Sequence, residues 1–456
     1  MKNIRHKTVY FLGIGGIGMS ALAKFYVEHE ANVYGYDLTP SHITDELIKK
    51  GAKIHFEDNP SLLPPNIDLA IYTPAIPKNH KEFDFLKKKN MKLLKRSQIL
   101  GKISEEYNTI AIAGTHGKTT TTAICAQIFK ASGHKINAFI GGIANNFKSN
   151  CFFENNAKFL IVEADEFDRS FLTLSPNTAI ITSMDADHLD VYNNNENLIS
   201  SFYDFIDKIK PGGTLIYHVS LNVPETNRIN LLSYSLNNSE ADIYASKISY
   251  HQASYTFDLH FKDKTFKNLK FNFPGHHNLE NAIAACGALL VQNEISETEL
   301  SNALSSFQGV HRRFEIVFES ENTTLIDDYA HHPTEIRNCL SSIKAKYPDK
   351  KITVVFQPHL FSRTQNLADD FAKALSAADR IILLNIYPAR EEPIEGIDSQ
   401  FLLDKIESSD KILVNDAQLV NQFTDNSHEI IVMMGAGNID RLVPLVKKQL
   451  ETNSTL

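Results

Sequence analysis

The stretch GTHGKTT, which begins at Gly114, combines two glycines with a Lys-Thr pair directly after the apolar run NTIAIA. Gly114 and Gly117 permit a tight turn. Lys118 can set its ammonium between phosphates, and Thr119 can offer a hydroxyl to Mg²⁺. The common phosphate loop, G-x-x-x-x-G-K-[ST], would have a glycine where this chain has Ile112. The pattern therefore predicts a shortened nucleotide-binding loop, and a polar turn that binds nothing is the alternative.

Acidic residues follow two further apolar runs in the same part of the chain. VEADEFD comes after FLIV, and MDADHLD comes after NTAIITS. Ligand sites in parallel sheets open at the carboxyl ends of the strands, so these acids are expected beside the Lys-Thr loop. Mg²⁺ bound to a nucleotide needs hard oxygen ligands, although such acidic clusters are often only solvated loops. The candidates are Glu163, Asp165, Asp185, Asp187, His188 and Asp190.

A second glycine pattern, GIGGIG, lies near the N-terminus between a predicted strand and a predicted helix. Gly13, Gly15 and Gly18 match G-x-G-x-x-G, in which glycines let the backbone approach a diphosphate at a helix N-terminus. Asp37 ends the next predicted strand, about where an acid that binds ribose belongs. Taken alone, this block indicates a dinucleotide or a nucleoside diphosphate. An NAD-dependent oxidoreductase is one interpretation, and a tight turn without a ligand is another.

Five polar stretches in the rest of the chain could bind ligands or could be structural. Asn278 and Asn281 are one helical turn apart and so share a face. The two arginines of HRRF could clamp phosphate or form a basic linker. The residues concerned are Asn278 and Asn281 in HHNLENA, Arg312 and Arg313 in HRRF, Asp328, Tyr329, His331 and His332 in DDYAHHP, His359 and Arg363 in QPHLFSR, and Arg390 in YPAREEP.

The elements that must position these residues alternate between short apolar runs and helical segments. This rhythm is typical of α/β proteins with parallel sheets. A chain of 456 residues is too long for one core, and three blocks are predicted, at 1–105, 106–312 and 313–456. The residue pattern of the central block changes at ADIYASKISYHQASYTFDLHFKDKTFKNLKFNF, where polar and apolar residues alternate. That segment predicts antiparallel strands attached to the α/β core.

Composition narrows the class of protein. The formal net charge of −8 argues against nucleic acid or an anionic membrane as the main partner. Four scattered cysteines form neither a disulfide framework nor a zinc motif, which fits a reducing compartment. The N-terminal segment imitates a secretory signal, but its glycines oppose the apolar helix that a signal needs. No apolar run has transmembrane length, so we expect a cytoplasmic protein.

Taken together and in order, the motifs closely resemble those of the Mur ligase family, ATP-dependent enzymes that form amide bonds in peptidoglycan precursors. The series spans essentially the whole chain: GIGGIGMSALA, GTHGKTTTT, EADEFDRSFL, DADHLDVY, GHHNLENA, GVHRRFE, DDYAHHPTE, FQPHLFSRT and YPAREEPIEG. GTHGK is the family's own form of the phosphate loop. The resemblance implies a three-domain α/β fold: a Rossmann-like domain (1–105) that binds a UDP-sugar instead of NAD, a central P-loop-type ATPase domain (106–312) with a mostly parallel sheet plus antiparallel strands, and a Rossmann-like domain (313–456) that binds the amino acid and closes.

The same resemblance implies roles for matched residues, with ATP and Mg²⁺ as cofactors. Catalytic roles would fall to Lys118, His188, Arg313, His359 and Arg363. ATP would be bound by Gly114, Thr115, His116, Gly117, Lys118, Thr119, Thr120, Asn281, Arg313 and Asp328, with Asn281 at the adenine. The UDP-sugar would be bound by Gly13, Gly15, Gly16, Ile17, Gly18, Asp37, Thr73 and His188. The metal ligands would be Thr119, Glu163 and His188.

Within the family, the series is most similar to the branch that joins L-alanine to the lactyl carboxylate of UDP-N-acetylmuramate through an acyl phosphate. A recycling ligase that attaches a tripeptide to the same UDP-sugar is the nearest alternative, and a nucleotide-binding module without catalysis is another. Several other branches use a carbamylated lysine near the position of Tyr203, and many relatives have Arg where this chain has Leu360. We expect small-molecule substrates, no nucleic acid, and a monomer or homodimer.

Overall fold

A computed structural model of the chain describes residues 4–77, 79–185, 192, 194–251, 254–292, 294–389, 391–425 and 427–454. Its strands form three sheets that follow one another along the sequence, which confirms the predicted mixed α/β fold. Contacts divide the chain into two compact units, Met1–Asn272 with Glu280–Gln308, and Phe273–Leu279 with Gly309–Leu456. The first unit contains two sheets and the second contains one. The predicted domain boundaries at 105/106 and 312/313 stay predictions.

The first sheet is parallel and has the strand order β3-β2-β1-β4-β5. The order reverses between β1 and β4, and a reversal of this kind opens a crevice at the carboxyl ends of the strands. GIGGIG follows β1 and therefore lies at that crevice. The strands are β1 (Thr8–Leu12), β2 (Asn32–Tyr36), β3 (Lys53–His55), β4 (Leu69–Tyr72) and β5 (Leu93–Lys95), and the helices are α1 (Ile17–Glu28), α2 (His42–Lys49), α3 (Lys81–Lys88) and α4 (Arg96–Ser104).

The central sheet has the order β15-β14-β13-β12-β11-β10-β6-β9-β7-β8. Its strand β6 is almost wholly buried and lies between β9 and β10. The Lys-Thr loop after β6 is thereby flanked by the acidic segments that follow those two neighbours. The strands are β6 (Asn108–Ala113), β7 (Ile136–Ala144), β8 (Ser149–Phe153), β9 (Phe159–Glu163), β10 (Thr178–Ile181), β11 (Thr214–His218), β12 (Asn230–Ser235), β13 (Ile243–His251), β14 (Ser254–Phe261) and β15 (Lys264–Phe271).

The predicted antiparallel segment is confirmed as β13, β14 and β15, which extend one end of the central sheet. β13 itself pairs in parallel with β12, so the segment continues the α/β sheet without forming a separate one. The helices that accompany the central sheet are α5 (Lys118–Ala131), α6 (Asn195–Ile206), α7 (His276–Gln292) and α8 (Glu297–Ser305). α5 ends at Ala131 and is capped by Ser132, and the predicted glycine, Gly133, follows the cap with a left-handed φ of 82°.

The third sheet has the order β16-β17-β21-β18-β19-β20, with only β16 antiparallel to its neighbour among the described pairs. Its central strands are apolar and buried, as expected for a sheet covered on both faces. The strands are β16 (Glu315–Glu319), β17 (Thr324–Asp328), β18 (Ile352–Phe356), β19 (Arg380–Leu383), β20 (Lys411–Leu413) and β21 (Ile430–Met434), and the helices are α9 (Pro333–Lys346), α10 (Phe361–Asn366), α11 (Ala368–Leu375), α12 (Ser399–Lys405), α13 (Asp416–Leu419) and α14 (Val443–Ser454).

Two sequence-based expectations concern the whole chain. The four cysteines are buried and free of disulfides, in agreement with the absence of a disulfide pattern. Among the helices that the structure describes, none is both long enough and apolar enough to span a membrane.

Candidate active site

The phosphate loop connects β6 to α5 at the carboxyl edge of the central sheet. α5 begins at Lys118, and its cap is Gly117, whose φ of 79° lies in the left-handed region that suits glycine. Glycine has no side chain, so no side chain at the cap accepts a hydrogen bond from the N–H groups of the first helical turn. Gly114 has a φ of 135°, and a Cβ there would collide with Thr182 Oγ1. The loop therefore offers backbone amides and the positive end of a helix dipole, which together favour phosphate.

Residues that follow β10 hold the phosphate loop in shape. The Ser183 hydroxyl accepts the N–H of His116 at 2.9 Å and lies 2.9 Å from the Thr115 hydroxyl. The Thr182 hydroxyl donates to the carbonyl of His116 at 2.5 Å. The N–H of Asp185 donates to Thr115 Oγ1 at 3.0 Å. The conformation of the loop thus depends on the end of a neighbouring strand as well as on its own glycines.

Lys118 points its ammonium into this loop and towards the acids that follow β9. Its Nζ donates to the carbonyl of Gly114 at 2.7 Å and to Glu166 Oε1 at 2.7 Å. Burial by itself would lower the pKa of this ammonium, but the carboxylates of Glu166, Glu163 and Asp165 outweigh burial and raise the pKa above its ordinary value. Lys118 is therefore held in its charged form beside the loop, as its predicted role in binding phosphate requires.

The acids after β9 have different partners. Glu163 Oε2 accepts the N–H of Gly141 at 3.0 Å, and a Cβ on Gly141 would collide with the Glu163 carboxylate. Asp165 Oδ2 accepts from Arg96 Nη2 at 3.4 Å. Arg96 is the first residue of α4, so this contact links the first sheet's last helix to the acidic segment. Glu163 and Asp165 both act electrostatically on Lys118, which places them around one charge.

The donor set at this edge fits Mg²⁺. The Thr119 hydroxyl and the Glu163 carboxylate are hard oxygen donors, the class that Mg²⁺ prefers, and Asp165 adds a second carboxylate. Gly141 leaves the Glu163 carboxylate room that a larger residue would fill. We therefore keep Thr119 and Glu163 as predicted ligands of a nucleotide-bound Mg²⁺.

Asn281, on α7, lies against the phosphate loop. A Cβ on Gly117 would stand only 2.8 Å from Asn281 Oδ1, so the amide packs on the glycine that caps α5. Asn278 has a different task, since its Nδ2 donates to the carbonyl of Pro274 at 2.7 Å. The shared helical face that the sequence suggested therefore divides into one residue beside the loop and one that secures the start of α7.

The N-terminal glycine loop packs closely on the ends of β2 and β4. The Gly15 N–H donates to Asp37 Oδ2 at 2.7 Å, so one oxygen of the predicted ribose-binding acid is engaged by the loop itself. Gly13 has a φ of 82°, and a Cβ on it would stand 2.8 Å from Thr73 Cγ2. A Cβ on Gly18 would stand 2.8 Å from Arg96 Nη1. Gly16 caps α1 and, like Gly117 at α5, makes no side-chain hydrogen bond, but its backbone is extended with a φ of −63°.

The similarity to known proteins extends over nearly the whole chain. The chain matches three family models: "Mur ligase family, catalytic domain" over residues 8–108, "Mur ligase middle domain" over 112–289, and "Mur ligase, glutamate ligase domain" over 312–437. It is 47% identical to the UDP-N-acetylmuramate–L-alanine ligase of Christiangramia forsetii, with 99% of each chain covered. It is 43% identical to the ligase of the same name from Porphyromonas gingivalis, covering 98% of this chain and 99% of the relative.

The chain belongs to the Mur ligase family.

Solved structures agree with this assignment. The crystal structure of UDP-N-acetylmuramate-alanine ligase from Thermotoga maritima matches with a TM-score of 0.82 and 27% identity, covering 98% of this chain and 100% of that one. A murein peptide ligase from Psychrobacter arcticus matches with a TM-score of 0.70 and 22% identity over 97% and 98% of the two chains, which supports the fold alone. The glycine fingerprint of this Mur ligase family member is thus set in a Mur-type fold, and the oxidoreductase interpretation loses its support.

Some predicted residues of this Mur ligase family member cannot be placed. His188, predicted as a metal ligand and as a contact of the UDP-sugar, lies outside the described residues, as do Asp187, Asp190 and Arg390. Asp185 is described and exposed, and its carboxylate lies 3.5 Å from His116 Nε2.

In the second unit, the predicted nucleotide contacts are embedded in a local network. Arg313 Nη1 lies 3.7 Å from Glu335 Oε1, and its guanidinium lies 4.9 Å from the ring centre of Tyr329. Asp328 is buried and accepts the N–H groups of Phe314 and Ala330 at 2.8 Å each. Burial raises the pKa of Asp328, and Arg313 opposes that rise. Their contact with a nucleotide stays a prediction.

Other polar residues of the second unit have separate roles. Arg312 is neither a linker nor an exposed clamp, because it is buried and its Nη2 donates to the carbonyl of Gly435 at 2.6 Å. His359 stacks on Tyr387 with the ring centres 5.7 Å apart, directly before α10. Arg363 lies on α10 itself. The roles of His359 and Arg363 towards the amino acid stay predictions.

A buried polar group in the first sheet is better described as a helix cap than as a metal site. One ligand atom each from Asp58, His80 and Glu82 lies within 4.8 Å of the others. However, the Asp58 carboxylate already accepts the N–H groups of Lys81 and Glu82, at 2.9 and 3.1 Å, and Glu82 Oε1 accepts that of Asn59 at 2.9 Å. These amides include the positive N-terminal end of α3, which favours anions and opposes a cation.

Several residues that shape the site were missed at the level of sequence. Glu166 stands inside EADEFD but was not singled out, since nothing in the motif distinguishes it from its acidic neighbours. Ser183 and Gly141 carry no motif signal, and their importance comes from strand order. Arg96 could have been found, because it directly follows the run KLLK at a predicted strand end.

Proposed function

We propose that this protein joins L-alanine to the lactyl carboxylate of UDP-N-acetylmuramate and converts ATP to ADP and phosphate. The observation that carries the proposal is likeness over the whole chain, at 47% and 43% identity, to ligases named for this reaction. The proposal is supported by the predicted phosphate loop with Lys118 and by the predicted diphosphate fingerprint in the first sheet, because the reaction needs a site for each of two phosphorylated substrates.

The chemistry begins with a poor acyl donor. An oxygen of the lactyl carboxylate attacks the γ-phosphorus of ATP, the bond to the β,γ-bridging oxygen breaks, and ADP leaves. Lys118 and the amides at the start of α5 stabilise the negative charge on the phosphoryl oxygens as it is transferred. Mg²⁺, held by Thr119 and Glu163, would neutralise further phosphate charge when bound.

The second step forms the amide. The neutral amino group of L-alanine attacks the acyl carbon of the acyl phosphate, inorganic phosphate leaves with the electron pair of the broken C–O bond, and the nitrogen loses one proton. The acyl phosphate must be shielded from water until the amine arrives, because hydrolysis would waste the activated group. We expect His359 and Arg363, which are predicted to lie near the amino acid and the acyl group, to act in this second step.

A phosphate-release assay tests the proposal. Purified protein is incubated with ATP, Mg²⁺, UDP-N-acetylmuramate and a panel of amino acids, and phosphate and product mass are measured. We expect release that depends on both UDP-N-acetylmuramate and L-alanine, with glycine and L-serine as poorer substrates. Release with the murein tripeptide but not with L-alanine would assign the recycling reaction instead. ATP binding without turnover on any substrate would identify a nucleotide-binding module.

A further inference from the structure

Lys118 is held by a partner that the proposed reaction does not use. Its Nζ lies 2.7 Å from Glu166 Oε1, and the two side chains are 14% and 0% exposed. The same Nζ also donates to the carbonyls of Gly114 and Thr115, at 2.7 and 3.4 Å. The ammonium thus donates to three oxygen atoms, two of them backbone carbonyls of the loop itself.

Glu166 is itself fixed by its surroundings. Its carbonyl accepts the Tyr192 hydroxyl at 2.5 Å and the N–H of Arg169 at 2.9 Å. Tyr192 is fully buried. Arg169 and Asp168 both have left-handed φ values, 54° and 52°, so the chain turns sharply just after Glu166. These contacts hold the backbone of Glu166, from which its carboxylate reaches Lys118.

Burial makes this pair an unusual one. Removing a lysine and a glutamate from water is costly, and the attraction between them roughly offsets that cost only when geometry is good. A pair of this kind is weak evidence for stability, and its position against a phosphate loop indicates a functional reason. The Glu166 carboxylate also competes with phosphate for the Lys118 ammonium. Such competition lowers the affinity for phosphate, so tight binding of phosphate alone does not explain the pair.

Resting on the proposed function, we propose that Glu166 is a positioning residue: it restrains the Lys118 ammonium so that it meets the phosphoryl group in the transition state rather than relaxing onto ATP in the ground state. Interactions that are stronger in the transition state than in the ground state raise kcat, whereas interactions made equally in both lower only KM. Glu166 therefore weakens the binding of ATP and increases the rate of phosphoryl transfer.

Glu166→Gln tests this directly, because it keeps the shape and removes the charge. We expect kcat to fall about 10- to 100-fold, as for other groups that orient a functional side chain. We expect the Kd of ATP, measured by calorimetry without the other substrates, to fall roughly threefold or more, since one competing charge-assisted hydrogen bond is lost. A purely structural role would weaken ATP binding and turnover together, and that result would overturn the proposal.

A double-mutant cycle shows whether Glu166 acts through Lys118. In a Lys118→Met background, Glu166→Gln is expected to leave the ATP Kd and the residual kcat unchanged within about twofold. Equal effects of Glu166→Gln in both backgrounds would contradict the proposal. Glu46→Gln is the matched control, because Glu46 pairs with the buried Lys24 at 2.8 Å far from the loop in sequence, and it should leave kcat and the ATP Kd unchanged.

Two further measurements allow the proposal to be tested even if Glu166→Gln does not fold or the wild-type protein shows no turnover. If Glu166→Gln fails to fold, as a thermal melt would show, Glu166→Asp retains the charge on a shorter side chain. It should lower kcat at least about threefold with ATP affinity retained, and an unchanged kcat would overturn the proposal. If the wild-type chain shows no L-alanine-dependent turnover, the proposed function fails, and the ATP affinities of the four chains in the cycle still decide whether Glu166 and Lys118 are coupled.

Discussion

The N–H of Gly141 donates to Glu163 Oε2 at 3.0 Å, and the hydrogen atom in place of a side chain at Gly141 is what lets the carboxylate lie there. Gly141 belongs to β7 and Glu163 ends β9, and the two strands are direct neighbours in the central sheet. A predicted metal ligand is therefore positioned by a glycine that stands 22 residues earlier in the chain.

Gly141→Ala is expected to displace Glu163. The added methyl group would collide with the carboxylate, so L-alanine-dependent phosphate release should fall about 10- to 100-fold at a fixed Mg²⁺ concentration. Part of the loss should return as Mg²⁺ is raised, because a displaced ligand weakens metal affinity. In a Glu163→Gln background the same substitution should add little further loss. A full second loss there would show that Gly141 acts independently of Glu163.

Gly117→Ala and Gly133→Ala form a matched pair at the two ends of α5. Both glycines have φ near 80°, so each substitution should cost about 1–2 kcal/mol of unfolding free energy. Only at Gly117 would the methyl group meet another side chain, Asn281, while nothing lies within 4 Å of a Cβ on Gly133. We expect ATP binding, measured by calorimetry, to be lost with Gly117→Ala and kept with Gly133→Ala. Equal ATP affinity in both would argue against a nucleotide at this loop.

Lys118→Met should abolish most turnover. Removal of the charge that stabilises the transferring phosphoryl group is expected to lower kcat on the order of 10³-fold or more. The control is Lys130→Met on the same helix, whose ammonium lies 3.8 Å from the ring centre of Phe152 and should leave kcat unchanged. Steady-state kinetics of the two variants compares them. Comparable losses would mean that a general change in α5, and not the position of Lys118, is responsible.

The second unit carries a pair whose contribution to stability depends on pH. His311 Nδ1 lies 2.6 Å from Glu315 Oε2. The hydrogen bond to Glu315 raises the pKa of His311 above its ordinary 6.5. Burial alone would raise the pKa of Glu315, but the bond from His311 and the N–H of Arg312 lower it below 4.5.

The signs of these shifts define a window. The stabilisation from His311 is complete below pH 6.5 and is lost as pH rises through its raised pKa. The stabilisation from Glu315 is present above pH 4.5 and is lost as pH falls through its lowered pKa. The difference in Tm between the wild type and His311→Gln should therefore be largest between pH 4.5 and 6.5 and should become smaller as the pH rises through the raised pKa of His311. A difference that does not vary with pH would contradict the ion pair.

The predicted chemistry and most of the secondary-structure elements can be read from the sequence alone. Short buried runs such as TIAIA and LIVE have the composition of central parallel strands, and their existence does not depend on the remainder of the fold. The Lys-Thr pair behind Gly117 indicated phosphate, because glycine, lysine and hydroxyl at that spacing serve a purpose that is local to one turn. Similarity across the whole series of motifs then indicated the family. The weaker runs β3, β7 and β8 carried no clear signal of this kind.

The residues that surround that loop could not be predicted from the sequence, because they are brought together by the order of the strands. Strand order places β6 between β9 and β10, and this order is fixed by packing over long distances in sequence, which no local pattern encodes. As a result Ser183 shapes the loop, Gly141 makes room for Glu163, and Glu166, one acid among several in its motif, is the one that meets Lys118. The sequence supplied the charges, and the sheet determined which of them come into contact.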